Sequence, residues 1–315
     1  MHDEEDPRMA ENRPTDPLGE IYAEWTVEFT AAPDMSLPVL RWVFEDWQRA
    51  TAEPEDVTYR STSIGGVPGI LVTPLEADRE RVLLVLHGGG FALGSSASHR
   101  KMAGHLAKAA GSSAFVADFR LAPEHPYPAQ LDDADAVIDA LIADGIAAEA
   151  ITPVGDSAGA SIAIATVLRR LQRGAALPGR VATISPWVDM ENSGETIETN
   201  DATDFLIARE GLQGNIDRYL SGGASPTDPL VNPLYADFTG FPPLFLTASD
   251  AESLYADAVR LAERAARDGV DVTFETVSGE QHVWPLQAGR HAAADTSIRR
   301  IAEWVRATSS TRVSA

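Results

Sequence analysis

Two glycine-rich turns, each directly after an apolar run of strand length, constrain this chain most. Val82-Leu83-Leu84-Val85-Leu86 runs into His87-Gly88-Gly89-Gly90, and Ile151 to Val154 runs into Gly155-Asp156-Ser157-Ala158-Gly159, which opens a helix-like stretch. The second turn has Gly-x-Ser-x-Gly spacing, the pattern of a sharp strand-to-helix elbow. Such an elbow lifts the serine hydroxyl above the sheet, and the flanking glycines relieve the crowding this causes. The first turn offers backbone N–H groups to an oxyanion. In this order, with an acid and a histidine further on, the pair points to a serine hydrolase.

Around these turns the chain alternates strand and helix patterns. Strand-like runs at 57–63 and 68–73 precede Val82–Leu86, which is continuous and apolar as a central parallel strand should be. A helical run near 98–110 leads to Ala114-Phe115-Val116-Ala117, and Ala134, Val137, Ile138, Leu141 and Ile142 mark the next helix. Ser157 to Arg173 is apolar on nearly every side and reads as a buried helix stopped by Gly174, before a strand at Val181–Ile184. Leu244-Phe245-Leu246-Thr247 follows later, then a helix ending at Gly269, an alternating strand through Val270, Val272, Phe274 and Thr276, and a last helix over about 290–307. The expected fold class is α/β, a mostly parallel central sheet flanked by helices. Pro153 fits a central strand poorly, because every N–H is wanted there, and it predicts an irregular strand end.

Two segments break the rhythm. Residues 190–222 are polar and strand-poor, and read as a cap insertion in a catalytic domain spanning 55–315. Residues 1–54 read as a tail, with its first dozen residues disordered, and two helix-like stretches. One carries Ile21, Trp25 and Phe29, and the other Leu40, Val43, Phe44 and Trp47.

Composition narrows the function classes. The 315 residues include no cysteine, which excludes disulfides, thiol catalysis and zinc–thiolate sites. A net charge of −22 opposes nucleic acid and anionic membrane surfaces. Met1-His2-Asp3-Glu4-Glu5-Asp6 lacks the basic start and apolar core of a secretory signal, and no stretch has the length of a membrane span. The expectation is a soluble, cytoplasmic protein with no nucleic-acid or membrane partner. Lys101 and Lys108 are its only lysines. The acidic surface permits salt adaptation, although genome composition explains the arginine bias equally well.

Ser157 is the candidate nucleophile, and a serine hydroxyl needs a base within hydrogen-bond reach. The base is expected late in the chain, in the order Ser, acid, His. His282, in the loop Gly279-Glu280-Gln281-His282, is the candidate, while His291 at the start of the last helix is expected to face solvent. The acid follows the strand 244–247, where Asp250, Glu252 and Asp257 are available. Asp257 is expected a turn or more into a helix, and residue chemistry leaves Asp250 and Glu252 open. Gly89, Gly90 and Ala158 are the candidate oxyanion donors. His87 is expected to brace its loop, and Gly88 and Asp156 complete the two motifs.

Further segments resemble the bacterial hormone-sensitive-lipase-like branch (family IV) of the α/β-hydrolases. Asp118-Phe119-Arg120-Leu121-Ala122-Pro123-Glu124-His125-Pro126-Tyr127-Pro128-Ala129 is similar to that family's DYRLAPE..PFPA segment. Ser185-Pro186-Trp187-Val188-Asp189 resembles its SPW.D strand end, and His282-Val283-Trp284 its histidine loop. The likeness covers about residues 55–305. Glu252-Ser253-Leu254-Tyr255-Ala256-Asp257, followed by Arg260-Leu261-Ala262-Glu263-Arg264-Ala265, matches a family segment whose first carboxylate is the triad acid. The resemblance therefore favours Glu252 over Asp250. It implies an esterase acting on short- to medium-chain acyl esters, with no cofactor or metal and, in many members, a homodimer. It also implies a cap built from residues 1–50 and 190–222, with Trp25, Trp47, Phe205 and Leu206 as candidate walls of an acyl pocket. Two other readings use the same scaffold: a lactone or lactam hydrolase with an unchanged triad, and a non-catalytic small-molecule binder.

Overall fold

The computed structural model describes residues 16–32 and 34–307, so the N-terminal dozen expected to be disordered lies outside the described residues. Eight strands form one sheet: β1 (Val57–Ile64), β2 (Val67–Pro74), β3 (Asp78–Leu86), β4 (Ser112–Ala117), β5 (Ile151–Asp156), β6 (Val181–Ile184), β7 (Leu244–Ser249) and β8 (Val272–Val277). Their spatial order is β1-β2-β4-β3-β5-β6-β7-β8. β1 and β2 form an antiparallel hairpin, turned by Gly65 and Gly66 at φ +61° and +83°, where a side chain would be strained. From β4 through β8 every pairing is parallel.

Successive side chains of the central strands feed opposite faces. Leu84 and Leu86 enter one core, with helices α4 (Ala129–Ala143), α5 (Ala158–Gln172) and α8 (Tyr255–Arg267). Leu83 and Val85 enter the other, with α3 (Ser96–Ala110), α9 (Ala292–Arg306) and the N-terminal helices α1 (Pro17–Ala31) and α2 (Leu37–Phe44). Helix α1 starts where Asp16 accepts from the Leu18 and Gly19 N–H groups and Pro17 takes the first helical position. It buries Leu18, Ile21, Tyr22 and Trp25, the i, i+3, i+4, i+7 stripe of one helical face. Between β6 and β7 lie the short α6 (Thr196–Thr199) and α7 (Arg209–Tyr219), and no strand.

Pro153 departs from expectation. It sits in an unbroken register opposite Leu84, not at an irregular end, and pairing with β6 begins only at Val154. The strand thus has a single neighbour where the proline lacks its N–H. The carboxyl ends of β3, β5, β7 and β8 lead into the two glycine turns, the acidic segment and the histidine loop, so all candidate groups gather at one end of the sheet.

Candidate active site

Ser157 takes φ +51° and ψ −121°, a conformation rarely open to a residue with a side chain. Its N–H donates to the Ile184 carbonyl at 3.0 Å, and its own carbonyl accepts from the Trp187 N–H at 3.2 Å. The glycines beside it are required by close approach. A Cβ on Gly155 would overlap the Gly159 carbonyl, and one on Gly159 would overlap the Leu86 carbonyl. The elbow is therefore pressed directly onto the end of β3.

His282 is fully buried, and its Nδ1 lies 2.7 Å from Glu252 Oε2. The other Glu252 oxygen accepts from the Ser249 N–H at 2.8 Å, which fixes the carboxylate at the end of β7. His282 Nε2 is buried with no hydrogen-bond partner among the described residues, and His282 lines the same cavity as Ser157. Burial pushes the imidazole pKa down, but the Glu252 carboxylate outweighs this by hydrogen bond and charge and holds it above the usual histidine value. Three further bonds hold the loop. Tyr22 donates its hydroxyl to the His282 carbonyl at 3.1 Å, the Val283 N–H donates to Ser185 Oγ at 3.1 Å, and the Leu18 N–H reaches Gln287 Oε1 at 3.3 Å.

The other carboxylates lie elsewhere. Asp250 is exposed and accepts from Ser278 Oγ and the Gly279 N–H, both at 2.9 Å, so it ties the start of the histidine loop to the end of β7. Asp257 sits in the first turn of α8, earlier than expected, and is buried. It accepts from the Val188 and Asp189 N–H groups at 3.0 and 2.9 Å and pairs with Arg260, while burial pushes it up to about 6. His291 does not point freely to solvent as expected: its Nε2 pairs with Glu280 at 2.9 Å.

The first glycine turn packs against the elbow. The Gly88 N–H donates to Asp156 Oδ2 at 3.1 Å, and a Cβ on Gly88 would strike that carboxylate. Gly89 and Gly90 take φ +110° and +61°. The N–H groups of Gly89, Gly90 and Ala158 donate to no protein acceptor among the described residues. His87 braces the loop through Nδ1 to the Gly88 carbonyl at 2.8 Å and stacks on Phe119 at 4.2 Å. Burial, with His99 nearby, pushes the His87 imidazole down to about 4, so it carries no charge at neutral pH.

A cavity of about 340 Å³ opens over Ser157 and His282. Trp47 and Leu206 line it, with Phe44, Leu93, Trp187 and Leu212. Trp25 and Phe205 do not. Trp25 is 2% exposed and stacks on Phe44 at 4.6 Å, behind the wall. Phe205 packs into the core shared with the N-terminal helices, and its N–H is held by Gln281 Oε1 at 3.0 Å. Packing in that core, not exposure to the cavity, accounts for both. The polar lining at Asn215 and Arg218 and the brace from Tyr22 have no sequence motif, because they come from helices α7 and α1, distant in sequence from the groups they adjoin. Ser185 lies within a segment already singled out. Among the described residues no cluster of His, Asp and Glu is arranged to hold a metal ion, and no helix is long and apolar enough to cross a membrane.

A model of the α/β-hydrolase fold family matches residues 83–286. The chain is 34% identical over 270 residues to an acetyl-hydrolase of Streptomyces hygroscopicus, covering 81% of this chain and 90% of that protein. It is 31% identical over 279 residues to an esterase of Acinetobacter venetianus, covering 89% of this chain and 92% of the relative. A crystal structure of an esterase from the bacterial hormone-sensitive lipase family superposes with a TM-score of 0.87 at 34% identity, over 96% of this chain and 98% of the other.

Proposed function

The chain belongs to the α/β-hydrolase family and is an esterase-like serine hydrolase, and from that premise we propose that it cleaves short- to medium-chain acyl esters with Ser157, His282 and Glu252. The observation that carries this assignment is the 2.7 Å Glu252–His282 contact, which leaves Nε2 unpartnered on a histidine that lines one cavity with Ser157. Glu252 holds the Nδ1 proton and so keeps Nε2 as the acceptor. Nε2 takes the Ser157 proton as Oγ bonds to the acyl carbon, and the carbonyl π electrons move onto oxygen. Gly89, Gly90 and Ala158 donate to that oxyanion. As the tetrahedral centre collapses, the ester C–O bond breaks and His282 gives its proton to the leaving alkoxide. Water then attacks the acyl-enzyme with its proton passing to Nε2, and Ser157 is regenerated as the acid leaves.

The apolar walls suit an acyl chain, and the cavity's size suits a short one. The test is kcat/KM on p-nitrophenyl esters from acetate to palmitate, with Ser157→Ala, Asp250→Ala and Glu252→Ala alongside. The expected result is a short-chain maximum, abolished in Ser157→Ala and cut at least 100-fold more in Glu252→Ala than in Asp250→Ala, following the roughly 10²–10⁴-fold worth of general base catalysis. Equal losses in the two carboxylate variants would remove Glu252 from the triad.

A further inference from the structure

We propose that Asn215 and Arg218 form a polar recognition site inside the largely apolar cavity, selecting esters whose acyl part carries a second oxygen group, a carboxylate above all. The inference rests on the esterase assignment and specifies its substrate class.

Both residues lie on α7 and line the cavity with Ser157, Gly90 and His282. Arg218 NH1 donates to Asn215 Oδ1 at 2.9 Å. A guanidinium can only donate, so this bond fixes which end of the amide is oxygen and turns Nδ2 the other way. Nδ2 then lies against Gly90, where a Cβ would collide with it. No protein acceptor takes its protons among the described residues. A fixed N–H donor therefore stands beside one of the candidate oxyanion donors, on the cavity side.

Arg218 has an ordinary role available, since a cation in the last turn of a helix offsets the helix dipole. That role does not bring the guanidinium back along the helix. Here it reaches back toward Gly214, with NH1 3.5 Å from where a Gly214 Cβ would stand. A Cβ on Gly214 would meet the guanidinium only at ordinary contact distance, so the side chain lies along the surface of its own helix. Arg218 has no carboxylate partner among the described residues, in a chain whose net charge is −22. Glu210 also lines the cavity, about two turns earlier on α7, and makes no ion pair with Arg218. A half-buried guanidinium without a counter-ion on the wall of a largely apolar cavity favours a carboxylate over any neutral group of the same shape. The donor at Asn215 sets the near end of that contact, and Arg218 the far end.

The test compares mono-methyl succinate, methyl levulinate and methyl valerate by pH-stat in wild type, Asn215→Leu and Arg218→Met. The three esters share the methyl leaving group and the first two acyl methylenes, and then present a carboxylate, a ketone or plain hydrocarbon. The readout is the ratio of kcat/KM values within one protein, so any general damage to the site cancels. In wild type the succinate ester is expected to exceed valerate, with levulinate between. Either substitution is expected to lower the succinate-to-valerate ratio at least tenfold. A ratio unchanged by both substitutions, or a wild type that favours valerate, overturns the proposal while leaving the esterase assignment standing. A folded wild type inactive on all three esters and on p-nitrophenyl butyrate removes both.

Discussion

Tyr22, in the first helix, donates its hydroxyl to the main-chain carbonyl of His282 at 3.1 Å, across 260 positions of sequence. Burial pushes the phenol well above its usual pKa, so it remains a donor through the neutral range. Tyr22→Phe keeps the packing and removes that bond. Stability is expected to fall by about 1 kcal/mol, the usual net worth of such a bond. kcat is expected to fall several-fold while KM on a short ester stays within twofold, because the substitution frees the histidine loop and does not touch the cavity. Steady-state kinetics beside thermal melting check this. A drop in melting temperature with unaltered kcat would reduce Tyr22 to a packing residue.

The pH profile follows from the Glu252–His282 pair. A general base works only when neutral, and Glu252 holds His282 above the ordinary value of 6.5, so the acid limb of kcat/KM is expected above that pH. Glu252→Gln removes the raising charge and leaves burial, which lowers an imidazole pKa. The limb should then move to lower pH as the maximum rate drops roughly 10²–10⁴-fold. A limb that stays in place would show that another group sets it.

Ser157 is held at φ +51°, at a cost of about 1–3 kcal/mol for a residue with a side chain. Ser157→Gly relieves that strain and removes the hydroxyl together. The expected variant is inactive and melts higher, by ~2 °C for about 1 kcal/mol in a chain of this size. Scanning calorimetry against Ser157→Ala, which keeps the strain, isolates the backbone contribution.

Gly159→Ala should be among the most damaging single changes. The added methyl meets the Leu86 carbonyl, a backbone atom of a central strand that cannot rotate away. A loss of roughly 3 kcal/mol or more is expected, at the upper end of overpacking costs. Urea denaturation of the two proteins measures it, and a loss under 1 kcal/mol would mean that β3 and the elbow can separate.

What the sequence reveals about this site depends on how local each signal is. Ser157 and the Gly88–Gly90 turn are legible because a tight turn needs glycines within a few residues of the functional group. Asp250 and Glu252 are two residues apart after the same strand, and no local rule separates them. What distinguishes them is burial: Glu252 turns inward under His282, while Asp250 stays exposed beside Ser278. Trp25 and Trp47 look equivalent on apolar helical stripes, yet only Trp47 reaches the cavity, because Trp25 lies one layer behind it against Phe44. Asn215 and Arg218 read as an ordinary polar helix surface. Their meaning depends on Gly90 lying beneath α7, a contact between segments over a hundred residues apart.

The N-terminal helices share one core with Val283, Leu286 and α9 near the other end of the chain. In a cell, α1 leaves the ribosome while the histidine loop and α9 are still untranslated. At ordinary elongation rates of about 5–20 residues per second, the 260 intervening positions take on the order of 10–50 s. Throughout that interval Trp25 can stack on Phe44, but the Tyr22 hydroxyl lacks the His282 carbonyl that accepts its proton. The contact that braces the histidine loop thus joins distant segments, and because such contacts form slowly, returning activity during refolding should trail the recovery of the sheet.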